Sequence, residues 1–144
     1  DEIMQKVKLY ELQAVQLHGE ESVVLCRSLR NKGILVLKAF QIYAAEDFED
    51  TLLYNDQVDY FLFDTKTASY GGSGSKFDWS LLDAYHGNTP FFLSGGIGPD
   101  DVQAIQKINH PLFRGVDLNS RFEIAPAIKS YKLLQQFIKQ LNSL

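Results

Sequence analysis

The sequence predicts an α/β fold of the parallel (β/α)8 TIM-barrel type, here a partial barrel of about five strands with alternating helices. Short apolar runs recur along the chain at Ala14–Leu17, Ile34–Leu37, Tyr60–Phe63, Phe91–Leu93 and Gly115–Leu118. Helical patterns lie between them, with no hairpin signal. Strands that alternate with helices form parallel sheets through right-handed crossovers. A doubly wound dinucleotide fold should carry its glycine fingerprint after the first strand. The first run is instead followed by His18-Gly19-Glu20-Glu21, and glycines cluster after the third and fourth runs. That favours a barrel, in which the loops after the last strands commonly bind phosphate.

The elements follow in order. Asp1–Leu12 reads as a helix with Ile3, Val7 and Tyr10 on one side, entered without a preceding strand. Glu20–Asn31 reads as a second helix, which Gly33 should stop. Ala45–Tyr54 carries Phe48, Leu52 and Leu53 as an apolar stripe, and Trp79–Tyr85 is a short helix. Pro99 opens a helix whose first turn holds Asp100 and Asp101, the charge favoured at a helix start. Val102, Ile105 and Ile108 form its apolar side. Ser130 should cap the last helix, where Leu133, Leu134, Phe137, Ile138 and Leu141 share a face. Residues 1–144 make a single partial-barrel domain.

Composition narrows the function. The chain has 144 residues, 45% hydrophobic, enough for one core. Its net charge of −4 and lack of a basic stripe argue against nucleic acid. No apolar run approaches a membrane span, and the charged start is unlike a signal peptide. One cysteine excludes an internal disulfide framework, and three scattered histidines give no metal-site spacing. The expectation is a cytoplasmic protein acting on a small molecule, without metal or cofactor, nucleic acid or membrane.

Chemistry concentrates at strand ends. The run Tyr60–Phe63 ends in Asp64, followed by a loop with Gly71, Gly72 and Gly74. A carboxylate closing a buried strand is costly unless paired, exposed or functional, so Asp64 is the first candidate for chemistry. Gly95, Gly96 and Gly98 precede a helix start and either cradle a phosphate or form a plain tight turn. Asp117, near the end of the last strand, is either a second functional carboxylate or a structural one. Ser120 and Arg121 follow as phosphate candidates, Arg121 alternatively as an exposed loop residue. His18 is a substrate-contact or a structural histidine. Lys38 is a weaker candidate for substrate contact, and Cys26 reads as a small residue on an outer helix.

These motifs together resemble phosphoribosylanthranilate isomerase, the (β/α)8 enzyme of tryptophan biosynthesis. The resemblance lies in Val15-Gln-Leu-His-Gly19, Phe63-Asp64 with Gly71-Gly-Ser-Gly74 and Phe77-Asp-Trp79, Leu93-Ser-Gly-Gly96 with Pro99, and Gly115-Val-Asp-Leu118 with Ser120 and Glu123. It covers the family's fold from about the third helix onward, strands four to eight. It implies a cofactor-free Amadori rearrangement of N-(5′-phosphoribosyl)anthranilate to the 1-deoxyribulose 5-phosphate. An acid protonates the ring oxygen, the ring opens to a Schiff base, and a base removes the C2′ proton. By resemblance the acid falls on Asp64, substrate contacts on His18 and Asp117, and phosphate contacts on the Gly95-Gly96 loop and the turn after Asp117.

The departures carry expectations too. The family's base, a first-strand cysteine, and a second-strand arginine have no counterpart here, and Cys26 is in the wrong element to replace the base. The chain alone is therefore expected to be inactive. Where the family has Ser-Ser-Gly-Val-Glu, this chain has Asn119-Ser120-Arg121-Phe122-Glu123, placing Arg121 at a family glycine. The family's Pro-Gly-x-Lys-Asp segment is here Pro126-Ala127-Ile128-Lys129-Ser130. The competing expectation is a non-catalytic phosphate-binding or self-associating module. Two open sheet edges predict a homodimer through those edges.

Overall fold

The computed structural model describes residues 2–64 and 78–143. The glycine loop at Gly71, Gly72 and Gly74 lies outside the described residues. Helix α1 (Glu2–Leu9) leads into β1 (Ala14–Leu17), and α2 (Val23–Asn31) into β2 (Leu35–Gln41). A 3₁₀ helix (Ala45–Tyr54) precedes β3 (Tyr60–Asp64), and a second (Trp79–Ala84) precedes β4 (Phe91–Ser94). A single 3₁₀ turn (Pro99–Asp101) runs into α3 (Val102–Gln106) before β5 (Phe113–Val116). After the 3₁₀ turn Ser120–Phe122 come β6 (Glu123–Ala125), β7 (Ile128–Lys129) and α4 (Tyr131–Leu141).

The first five strands form one parallel sheet in the order β1-β2-β3-β4-β5. Side chains alternate between its two faces, and the register sorts them cleanly. Val36 and Lys38 of β2 lie on the face of Phe61 and Phe63 of β3 and of Phe91 and Leu93 of β4. Those five apolar side chains are completely buried against Cys26, Leu29, Phe48, Leu82 and Ile105 of the helical layer. The other face carries Gln16, Leu37, Ala39, Tyr60, Leu62 and Phe92. Among these, Tyr60 and Phe92 touch with ring centres 5.2 Å apart. This is the side that faces inward in a (β/α)8 barrel.

Tyr85 sits at the centre of the aromatic core. Its ring lies 5.1 Å from Phe63, 5.4 Å from Phe91, 5.6 Å from Phe48, 5.7 Å from His110 and 6.2 Å from Phe61. Its hydroxyl donates to the Thr89 carbonyl at 2.7 Å. Burial pushes the phenol up to about 12, so the proton that makes this bond stays in place at neutral pH.

The structure corrects several expectations. Helix α2 starts at Val23, not Glu20, because Ser22 accepts from the Leu25 N–H and caps it. The Ala45–Tyr54 segment is a 3₁₀ helix with three residues per turn, so Phe48 and Thr51 face the core. Leu52 and Leu53, expected in the stripe, are 54% and 74% exposed. Strand β2 runs on to Gln41 rather than stopping at Leu37, while β5 is shifted back to Phe113–Val116. A hairpin the sequence did not signal, β6-β7, projects before α4. Ser130 caps α4 as expected, accepting from the Leu133 N–H.

The hairpin turns at Pro126-Ala127, with Ala127 at φ 64°. Proline followed by a residue of positive φ is the type II pattern, which asks for glycine at the second position. An alanine there carries about 1–2 kcal/mol of left-handed strain. Ala127→Gly removes it while adding about 0.4–1 kcal/mol of unfolded-chain entropy. The expected outcome is a gain of up to about 1 kcal/mol, read as a rise of about 3 °C in a thermal melt.

Candidate active site

The C-terminal ends of β3, β4 and β5 gather the polar groups. Asp64 closes β3 and stands in register with Ser94, the last residue of β4, and with Gln41, the last of β2. Ser94 Oγ donates to Asp117 Oδ2 at 3.3 Å. Asp117 follows β5 directly, and its N–H is tied back to the Leu93 carbonyl at 2.7 Å. Asp64, Ser94 and Asp117 thus line adjacent strand ends on the inward-facing side of the sheet. Asp64 is partly buried, whereas Asp117 is open to solvent. His18, exposed just beyond β1, is hydrogen-bonded through Nε2 to the side-chain amide of Gln16, which lies on that same face. Ser94 and Gln41 were not singled out from sequence. The signal available was a polar residue ending an apolar strand, the same one that marked Asp64.

Lys38 does not join this group. Its parity puts it on the helix-facing side, where it is 3% exposed. Its ammonium donates to the Gly19 carbonyl at 2.7 Å and pairs with Glu21 Oε2 at 3.3 Å. Its side chain thus lies on the helical side of the sheet and not on the inward face, where its substrate contact was expected. The burial of Glu21 alone would raise its pKa. Hydrogen bonds from the Glu21 and Gly19 amides, together with Lys38, outweigh that and hold the carboxyl below its ordinary value. Cys26 lies fully buried in α2, where desolvation raises its thiol and keeps it inert.

The second cluster is the loop after β4. Gly95 and Gly96 take φ values of 102° and 70°, a region that other residues rarely enter. Gly98 departs from its expected part: its N–H is taken by Asp101 Oδ2 at 2.8 Å, so it is committed to capping the turn. What Gly98 supplies is space. A Cβ at this position would lie 3.2 Å from Arg121 Nε and 3.4 Å from Nη2, so the Arg121 guanidinium rests against the glycine backbone. The Asn119-Ser120-Arg121 turn is held by Lys129 of β7, which donates to Asn119 Oδ1 at 2.6 Å and pairs with Glu123. Ser120 and Arg121 are both exposed beside the loop.

The family model for N-(5′-phosphoribosyl)anthranilate (PRA) isomerase matches residues 1–140. The chain belongs to the phosphoribosylanthranilate isomerase family. An isomerase of this name from Parabacteroides distasonis is 50% identical over 141 residues, covering 98% of this chain and 64% of that protein. The chain thus spans less than two thirds of that relative's length. The isomerase from Phocaeicola vulgatus is 43% identical and is 69% covered. Among solved structures, phosphoribosyl anthranilate isomerase from Thermotoga maritima superposes with a TM-score of 0.78 at 37% identity, covering 99% of this chain and 68% of that one. A complex of phosphoribosyl anthranilate isomerase with reduced 1-(o-carboxyphenylamino)-1-deoxyribulose 5-phosphate matches with a TM-score of 0.77 at 32% identity. The fold is therefore of the TIM-barrel type, and its C-terminal strand ends are the side on which such barrels do chemistry. Among the described residues, no helix is long and apolar enough to cross a membrane.

Proposed function

We propose that these 144 residues form the acid-and-phosphate side of a phosphoribosylanthranilate isomerase, an enzyme of L-tryptophan biosynthesis. The reaction is the rearrangement of N-(5′-phosphoribosyl)anthranilate to 1-(2-carboxyphenylamino)-1-deoxyribulose 5-phosphate. The observation that carries the reading is the placement of Asp64, Ser94 and Asp117 on adjacent strand ends, in a chain whose family has this activity. Asp64 protonates the furanose ring oxygen, and the C1′–O bond breaks to give the Schiff base. Asp117, oriented by Ser94, and His18 contact the substrate. A base from outside these residues takes the C2′ proton, and the enol tautomerises to the ketone.

The phosphate is assigned to the loop at Gly95 and Gly96 with the turn at Ser120 and Arg121. Arg121 stands where the family pattern has glycine and brings a permanent cation to that position. A fork of N–H donors resting on Gly98 replaces part of what backbone amides would supply there. A structure of mutually generated monomers of phosphoribosylanthranilate isomerase from Thermotoga maritima has the same fold with a TM-score of 0.77, and the enzyme those monomers come from is a dimer. It supports self-association here as a further element of the proposal.

The test mixes the chain with the stretch of the Parabacteroides distasonis isomerase that precedes the matched region and follows isomerisation by the loss of substrate fluorescence. Turnover that requires both pieces is the expected result. No turnover from pieces shown to associate would overturn the reading and leave a phosphate-binding module.

A further inference from the structure

The His18-Gly19-Glu20-Glu21 turn is held from below by a closed set of contacts. Both Glu21 carboxylate oxygens accept from the Gly19 N–H, at 3.1 and 3.0 Å. The Gly19 carbonyl accepts from Lys38 Nζ at 2.7 Å, and the same ammonium pairs with Glu21 at 3.3 Å. Tyr54 donates its hydroxyl to the Glu21 carbonyl at 2.9 Å, pinning the far end of the turn. The Lys38 ammonium passes 5.2 Å from the Phe40 ring centre and 5.8 Å from that of Tyr54, so its path is walled by aromatic faces. Gly19 itself leaves room for this closure, since a Cβ there would lie 3.3 Å from Glu21 Oε1.

Stability is a weak reason for this arrangement. A buried ion pair is often matched or bettered by well-packed apolar residues of the same volume. Methionine would fill the channel between Phe40 and Tyr54 without desolvating a charge. What only a buried cation does here is bind the Gly19 carbonyl and the Glu21 carboxylate at once. The residue immediately before Gly19 is His18, on the other side of the sheet.

We propose that Lys38 is a positioning residue for substrate binding: through the Gly19 carbonyl and the Glu21 carboxylate it fixes the turn that presents His18. The proposal rests on the reading of His18 as a substrate contact made above. Lys38 never touches substrate. It acts by removing the alternative orientations of the turn, so that His18 meets its ligand already placed, and the ordering is not charged to the binding step.

A double-mutant cycle with the 144-residue chain tests this, using reduced 1-(o-carboxyphenylamino)-1-deoxyribulose 5-phosphate as the titrated ligand. Lys38→Met is expected to weaken binding by about fivefold to tenfold when His18 is present, and by less than about twofold when His18 is already alanine. Equal losses in both backgrounds, or no loss in either, overturn the proposal, because a merely structural lysine gives additive effects. Glu21→Gln, which keeps the acceptor for Gly19 but not the charge, serves if Lys38→Met fails to fold and must show the same dependence on His18. If the chain does not bind the ligand even when reassembled with the preceding stretch of the Parabacteroides distasonis isomerase, the functional reading is what has failed. Amide exchange then decides the positioning. Exchange at Gly19 must accelerate at least about tenfold in the variant while Phe61 and Phe63 stay protected. Unchanged exchange at Gly19 overturns it.

Discussion

Asp64→Asn is expected to lower isomerase turnover by about 10²–10⁴-fold, the range associated with losing a general acid. Asparagine keeps the shape and the strand-end position but has no proton to give to a ring oxygen. The measurement is kcat in the reconstituted enzyme, with the unaltered pieces as reference. Ligand affinity should change far less than kcat, because protonation develops in the transition state and not in the bound substrate. A loss confined to KM would assign Asp64 to ground-state binding instead. The neighbours give the prediction its structural basis. Asp64 stands beside Ser94 in the register, and Ser94 is bonded to Asp117, which follows β5 two strands from Asp64.

The largest effect on stability is expected at Tyr85. Tyr85→Ala removes the ring around which Phe48, Phe61, Phe63, Phe91 and His110 are arranged. Truncating a buried aromatic residue to alanine costs about 3–5 kcal/mol. That is a large share of the roughly 5–15 kcal/mol that holds a typical domain folded. Urea denaturation should show the midpoint falling sharply or the cooperative transition disappearing. Tyr85→Phe separates packing from hydrogen bonding. It keeps the ring and gives up only the bond to the Thr89 carbonyl, an expected cost of about 1–3 kcal/mol because that acceptor is left buried. If the two variants lost the same stability, the ring cluster would not be the organising element of the core.

The strand centres were legible because five short apolar runs separated by helical patterns leave few alternatives. Their ends were less so, and the reasons are local. Lys38 breaks the apolar run of β2, so the strand looked finished at Leu37, yet it continues to Gln41 with the lysine buried and paired. Strict alternation offered the missing information: Val36, Lys38 and Phe40 share a face, which sends Lys38 to the helices rather than to the substrate. The β6-β7 turn was hidden because alanine occupies the position where glycine would announce it. Leu52 and Leu53 were assigned to the core on a helical period of 3.6, and a period of three reverses them. At the site, Asp64 was visible as a carboxylate at the end of a hydrophobic strand. The capping use of Gly98 was also written in the sequence, as an aspartate three residues on, but a glycine before a helix invites a ligand reading first.

The order of the sheet has a bearing on how the chain is made. Every strand from β1 to β5 pairs with the strand next to it in sequence, and none waits for a partner from a distant part of the chain. A polypeptide emerging from the ribosome can therefore lay down β1, dock β2 on it as soon as α2 has cleared, and extend the sheet one βα unit at a time. Contacts between neighbouring units close short loops and keep the entropy of each step small. The aromatic core around Tyr85 is complete once His110 has followed β4 and α3, before α4 is synthesised. Synthesis and folding then proceed in the same direction, and each new unit covers the edge left by the one before.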